Sequence, residues 1–181
     1  MDSKNQNTEI TLLEFLERVN QYLEELTDAN RNLLKILKNY QDLLVQGENE
    51  SVEHATPRLD RAAGQIRMLD EARRLYVDGF FKQMGWTGAR NFSAIEEKVM
   101  ALGVTDEEAL AFNRALQSRM VLIGMLAEVD AQNSLNLTLI GQGLSFAEVS
   151  LRALLGFGDN PNTYGPDDPG NDGPNFLDAR A

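Results

Sequence analysis

His54 is the single imidazole in a chain of 181 residues that has no cysteine. A metal centre built on several imidazoles or on thiolates is therefore excluded, and so are disulfides. A di-iron site in a helical bundle needs a Glu-x-x-His on each of two helices, and the chain has none. A lone imidazole can still accept a phosphoryl group. Histidine phosphotransfer domains place a lysine three residues after that histidine, where its ammonium supports the phosphate. Here the position is Pro57, which leaves phosphotransfer on His54 as a remote reading. The paired acids Glu96-Glu97 and Glu107-Glu108 fit solvated helix faces and caps better than acid–base catalysis. Neither a glycine-rich phosphate loop nor a Gly-x-Ser-x-Gly elbow is present. No cofactor and no catalysis are expected, and the remaining chemistry is that of holding another protein.

Two features carry that chemistry. Asn133 and Asn136 interrupt an apolar helix that continues through Ile140, Leu144, Ala147, Leu151 and Leu154. A polar residue on a packing seam fixes register at a cost in stability; it can equally hydrogen-bond the backbone of a bound chain. The second feature is Tyr164, an isolated aromatic among glycines, prolines and aspartates. With no core of its own to join, it can anchor in a partner's pocket or pack back on the last helix. The methionines 68, 84, 100, 120 and 125 are scattered and read as core fillers, with an adaptable groove as the alternative. Trp86 sits between glycines 85 and 88, where local packing is its natural use.

These residues need long helices to position them. The chain is 43% hydrophobic but only 7% aromatic, a balance that suits interhelical packing. Its formal net charge of −11 repels phosphate backbones and anionic membrane, so no nucleic acid and no membrane insertion are expected. No uncharged run approaches the ~18 apolar residues of a membrane span. The polar start, Met1 to Asn7, lacks an apolar signal region. A soluble cytoplasmic protein is the expectation.

The first helix is placed at about 11–46. Thr11 and Glu14 form a capping box, and Gly47 stops the helix. Leu12, Phe15, Val19, Tyr22, Leu26, Ala29, Leu33, Ile36, Tyr40 and Leu43 recur in 3-4 alternation, a heptad seam. Leu16, Leu23, Leu37 and Leu44 widen it into a face that packs against two neighbours. A second helix is placed at about 52–84, its start lying between Ser51 and Pro57, where Thr56 is a good cap and Pro57 suits the first helical position. Its seam contains Arg73, which snorkels outward or pairs with a glutamate. Residues 86–104 form an elbow with a short helix at about 93–102, opened by Ser93. A last helix, about 106–155, is capped by Thr105 and Glu108, and Gly141 with Gly143 marks a bend or weak point. Residues 1–155 are thus one helical domain. Residues 156–181, rich in Gly, Pro and Asp, form a flexible acidic tail. The fold expected is all-α: an elongated antiparallel three-helix coiled coil or bundle with a short extra helix at the elbow and a disordered C-terminal tail.

The run Asn133-Ser134-Leu135-Asn136-Leu137-Thr138-Leu139-Ile140, the later Asn162-Thr163-Tyr164-Gly165-Pro166-Asp167 and the leading helical hairpin together resemble the FlgN family of flagellar export chaperones. The resemblance implies a protein that serves the hook-associated proteins of the hook–filament junction. The last helix would help bind the C-terminal segment of the cargo, which stays unassembled until the type III export apparatus takes it. It further implies that the tail tyrosine, by position Tyr164, docks on the cytoplasmic domain of the export gate. A self-associating coiled-coil scaffold is the rival reading.

Overall fold

The computed structural model describes residues 10–154. Within them lie α1 (Leu12–Gln46), α2 (Asn49–Gln83), α3 (Phe92–Ala101) and α4 (Asp106–Leu154), and no strand is present among the described residues. The chain divides into two compact units, Met1–Gly143 and Leu144–Ala181. The boundary falls beside the Gly141 and Gly143 pair, inside α4, rather than after residue 155. The helix itself runs through both glycines. The tail segment 156–181 lies outside the described residues.

Local chemistry sets the helix ends. The Thr11 hydroxyl accepts from the Glu14 amide at 3.2 Å, and the Glu14 carboxylate accepts from the Thr11 amide at 2.9 Å. That amide, aided by the hydroxyl, holds the Glu14 carboxyl below its usual range. At the other end Gly47 takes the left-handed conformation, φ 71°, and its N–H caps the last carbonyls of α1. Thr105 and Glu108 repeat the box before α4, at 2.8 and 3.3 Å. Asn91, not Ser93, opens α3: its side-chain oxygen accepts from the Ala94 amide at 2.9 Å.

Pro57 lies inside α2, not in its first turn, and Thr56 is no cap. The Thr56 hydroxyl instead donates to the Val52 carbonyl one turn back, at 3.1 Å. Lacking an N–H, Pro57 leaves the carbonyl of Glu53 without its helical donor. Both residues are exposed, so water can take that place. An interior proline costs about 3 kcal/mol, of which about 1 kcal/mol returns through its restraint of the unfolded chain. Pro57→Ala is accordingly expected to raise stability by about 1–2 kcal/mol, read as a higher urea midpoint with an unchanged slope.

In the Met1–Gly143 unit, α2 runs antiparallel to α1. The Ile10 amide and carbonyl pair with the Gln83 side chain at 3.1 and 2.7 Å, while Phe15 stacks on Phe80 with ring centroids 3.8 Å apart. The part of α4 in this unit runs parallel to α1, since Ser118 donates to Asn20 at 2.7 Å and Asn136 to the Leu37 carbonyl at 2.9 Å. The unit is thus an up–down–up three-helix bundle. Its core gathers at the elbow end, where Phe15, Leu16, Val77, Phe80 and Phe81 meet Ile95 and Val99 of α3 and Phe112 of α4. Trp86 meets Phe80 and Phe81 edge-on, at 5.6 and 5.2 Å. Arg90 pins the loop before α3 to Asp78, whose carboxyl Lys82 and Arg90 together hold below its usual range. Arg73 pairs with an aspartate, Asp70, at 2.7 Å, where the sequence expectation was snorkelling or a glutamate partner.

The buried face of α1 departs from a heptad. Phe15, Leu16, Val19, Tyr22, Leu23 and Leu26 are buried as expected, but further on the buried set is Thr27, Asn30, Leu34 and Leu37. Leu16 to Thr27, Val19 to Asn30, Leu23 to Leu34 and Leu26 to Leu37 are each eleven apart. Eleven residues make three turns of an unstrained helix, whereas a 3.5 repeat drifts by about 20° per heptad. The contact face therefore moves off the seam of Ala29, Leu33 and Ile36, which are only half-buried. Thr27 and Asn30 satisfy themselves on the carbonyls of Leu23 and Leu26, both at 2.8 Å.

A second row on α2, Leu59, Ala63, Ile66, Asp70, Arg74, Val77 and Phe81, also recurs in 3-4 steps. Val77 and Phe81 are buried in the core at one end. Toward the other end Ala63 is short and Asp70 and Arg74 are charged, and α2 and α4 leave two clefts over α1. One, about 660 Å³, is lined by Leu26, Ile66 and Leu122; the other, about 550 Å³, by Leu33, Leu37, Leu59, Ala63 and Val129. Leu126 lines both.

Candidate functional site on the fourth helix

A surface helix normally shows one apolar stripe, because only one face gains from burial. In the Met1–Gly143 unit α4 buries Ala111, Phe112, Ala115 and Asn136, yet Met120, Val121, Ile123 and Leu137 stay exposed. Apolar side chains therefore occur around the helix, more than one packed face requires.

The two asparagines singled out by spacing have different surroundings. Asn136 is 2% exposed; its Nδ2 donates to the Leu37 carbonyl at 2.9 Å, and its Oδ1 accepts from Gln132 at 3.3 Å. Gln132 also donates to Gln41 across the same contact, at 2.7 Å. This amide pair ties α4 to α1 in one register, and the Asn136 side chain is not free to meet a bound chain. Asn133, one turn earlier, is exposed at the mouth of the smaller cleft. Ile140 is half-buried.

Replacing Asn136 by leucine exchanges a satisfied buried polar group for an apolar one of similar size. The Leu37 carbonyl keeps its donor within α1 and Gln132 keeps Gln41. The loss of one net hydrogen bond, about 0.5–1.5 kcal/mol, is thus offset by the burial of leucine's apolar surface, whereas register loses its polar lock. We expect Asn136→Leu to keep or raise the thermal midpoint. Disulfide trapping between engineered cysteines on α1 and α4 should then report a mixture of registers where the parent chain gives one.

The remaining candidates, Leu144, Ala147, Leu151 and Leu154, belong to the Leu144–Ala181 unit. Leu144 is 69% exposed, Leu151 55%, and Ala147 is also exposed. Leu154 is the last residue of α4, and its side chain lies outside the described residues, as does all of Tyr164. Sequence reasoning passed over Phe146 and Val149, which are 75% and 66% exposed. They fall outside the 3-4 row of Leu144, Ala147, Leu151 and Leu154, so a search for one stripe misses them. The signal that finds them is a helix too apolar on all sides for a single packed face. The ion pair of Arg152 with Glu148, at 2.6 Å, spans one turn among these residues.

His54 stands exposed within α2, three residues before Pro57 on the same helix. Among the described residues no group of three or more imidazole or acidic side chains could hold a metal ion, and no helix is long and apolar enough to cross a membrane. What the arrangement offers chemically is apolar contact with a few amide and carboxylate groups at its edge.

No curated protein and no solved structure matches the chain. A family model does, that of the FlgN protein, over residues 15–168. The match covers most of α1 and all of α2, α3 and α4, and the chain belongs to the FlgN family of flagellar export chaperones.

Proposed function

We propose that this chain is a cytoplasmic chaperone of type III flagellar export that binds the C-terminal segments of hook-associated proteins and keeps them unassembled until export. The observation that carries the reading is the exposed apolar surface of Leu144, Phe146, Val149 and Leu151 on one stretch of helix. Such a surface gains free energy when another chain covers it, and an amphipathic helix is a fitting cover. Leu144, Ala147, Leu151 and Leu154 supply apolar contacts in the Leu144–Ala181 unit, and Asn133 and Ile140 contribute in the Met1–Gly143 unit. Asn136 contributes by holding α4 on α1. Tyr164 docks on the cytoplasmic domain of the export gate, as an aromatic anchor set in a polar segment.

The test is capture from an extract of flagellated cells, comparing the full chain with one ending at Leu155. Both forms should retain hook-associated proteins, and only the full chain should retain gate protein. Failure of the full chain to capture any hook-associated protein removes the reading. Light scattering addresses the rival scaffold: a dimer or larger species that persists after substitutions at Leu144 and Leu151 would favour self-assembly.

A further inference from the structure

We propose that the cleft floored by Leu33 and Leu37 is a docking site in the Met1–Gly143 unit for one amphipathic helix of a partner chain, and that this helix carries lysine or arginine beside its apolar stripe. The inference rests on the reading of the chain as a chaperone and adds a surface and a charge rule to it.

The shape argues for a helix. The two clefts share Leu126, and their floor (apolar except for Asn30, whose amide already donates to the Leu26 carbonyl) runs along α1 from Leu26 to Leu37. That is three turns, about 16 Å. The cleft walls are side chains of helices whose own backbone groups are already paired. They present no ladder to an extended chain, whose amides would be left unsatisfied against leucine. A helix satisfies its own backbone and can seat anchors at i, i+3, i+4 and i+7. The opening is written into α2: Ala63, half-buried and lining the cleft, occupies a row position that the larger Val77 and Phe81 fill farther along.

The charge argues for a basic flank. Asp60 on the α2 wall and Asp130 on the α4 wall both line the smaller cleft and both are exposed. Neither has an ion-pair partner among the described residues. In the larger cleft the acids are already matched, Asp70 by Arg73 and Glu71 by Arg74, and Arg67 adds a positive charge. Selection for a basic residue is therefore confined to the Asp60–Asp130 end, which also gives the bound helix a polarity. A helix flanked by glutamate there meets two like charges, a penalty that discriminates partners more than it sets raw affinity.

Two synthetic helical peptides, each roughly 18 residues long and about 27 Å as helices, test this by fluorescence anisotropy with the full chain. They share one leucine stripe and differ only in lysine or glutamate beside it. The lysine peptide should bind about tenfold more tightly or better. Asp60→Asn with Asp130→Asn should abolish that preference, and Ala63→Phe, which fills the cleft, should weaken both peptides. Circular dichroism melts verify that each variant folds, and the asparagine pair decides the matter if Ala63→Phe does not. Equal binding of the two peptides, or a preference that survives the asparagine pair, overturns the proposal. Capture of hook-associated C-terminal segments by the parent chain is measured in parallel. Capture without peptide discrimination removes the cleft and leaves the chaperone reading; discrimination without capture does the reverse.

Discussion

A chain with Leu144→Asp and Leu151→Asp together should melt as the parent does and lose its cargo. Both side chains stand largely in water in the free protein, so folding gives up little apolar burial when they are removed. Exposed substitutions of this kind fall within about 0.5 kcal/mol each, with up to about 0.7 kcal/mol per site for the poorer helix propensity of aspartate. Binding is another matter. A leucine that becomes buried under a partner contributes about 1.5–3 kcal/mol, and aspartate would in addition bring an unpaired carboxylate into an apolar contact. Two such sites amount to more than about 3 kcal/mol, or over 100-fold in Kd. Calorimetric titration with a hook-associated C-terminal segment, beside a thermal melt, separates the two effects. Unchanged affinity would show that cargo is held elsewhere. A loss confined to the pair Phe146→Asp and Val149→Asp would move the binding face off the row that spacing alone selects.

Phe80→Ala should have the opposite signature, a large loss of stability. Phe80 is fully buried, stacked on Phe15 and met edge-on by Trp86. Truncating a buried phenylalanine removes its transfer free energy and leaves a cavity that rigid neighbours close only in part. The cost is about 3–5 kcal/mol, against a total stability of about 5–15 kcal/mol for a domain. At this size each kcal/mol moves the midpoint by about 2–4 °C, so the melt should fall by roughly 10 °C. Because α1, α2 and the loop before α3 meet at this ring, amide exchange should rise in all three. A drop of a degree or two would mean that the core lies elsewhere.

The contrast between these variants follows from where apolar content finds neighbours. Both capping boxes, Thr11 with Glu14 and Thr105 with Glu108, and the glycine stop at Gly47 were legible because each is closed by residues within a few positions. So was the all-α bundle, since long 3-4 periodicity has few other solutions. Pro57 was misplaced because a proline reads as a helix start until one knows that the preceding turn is already helical and exposed. Phe146 and Val149 were missed because one stripe satisfied the search. The open cleft was illegible for a different reason: Asp70 and Arg74 look like an ordinary solvent face, and Ala63 like a small residue beside the seam, until α4 is placed opposite them.

By itself the sequence determined the helices, most of their ends and the presence of more apolar surface on the last helix than one packed face uses. These follow from interactions between residues a turn or two apart. Only the tertiary structure decided which of those residues is covered. Asn133 and Asn136 have the same side chain, one turn apart on one helix, and no local rule separates them. Asn136 meets the Leu37 carbonyl and is committed to the bundle, while Asn133 faces the mouth of a cleft. The difference lies in the placement of α1 beside α4, a contact between residues 99 positions apart.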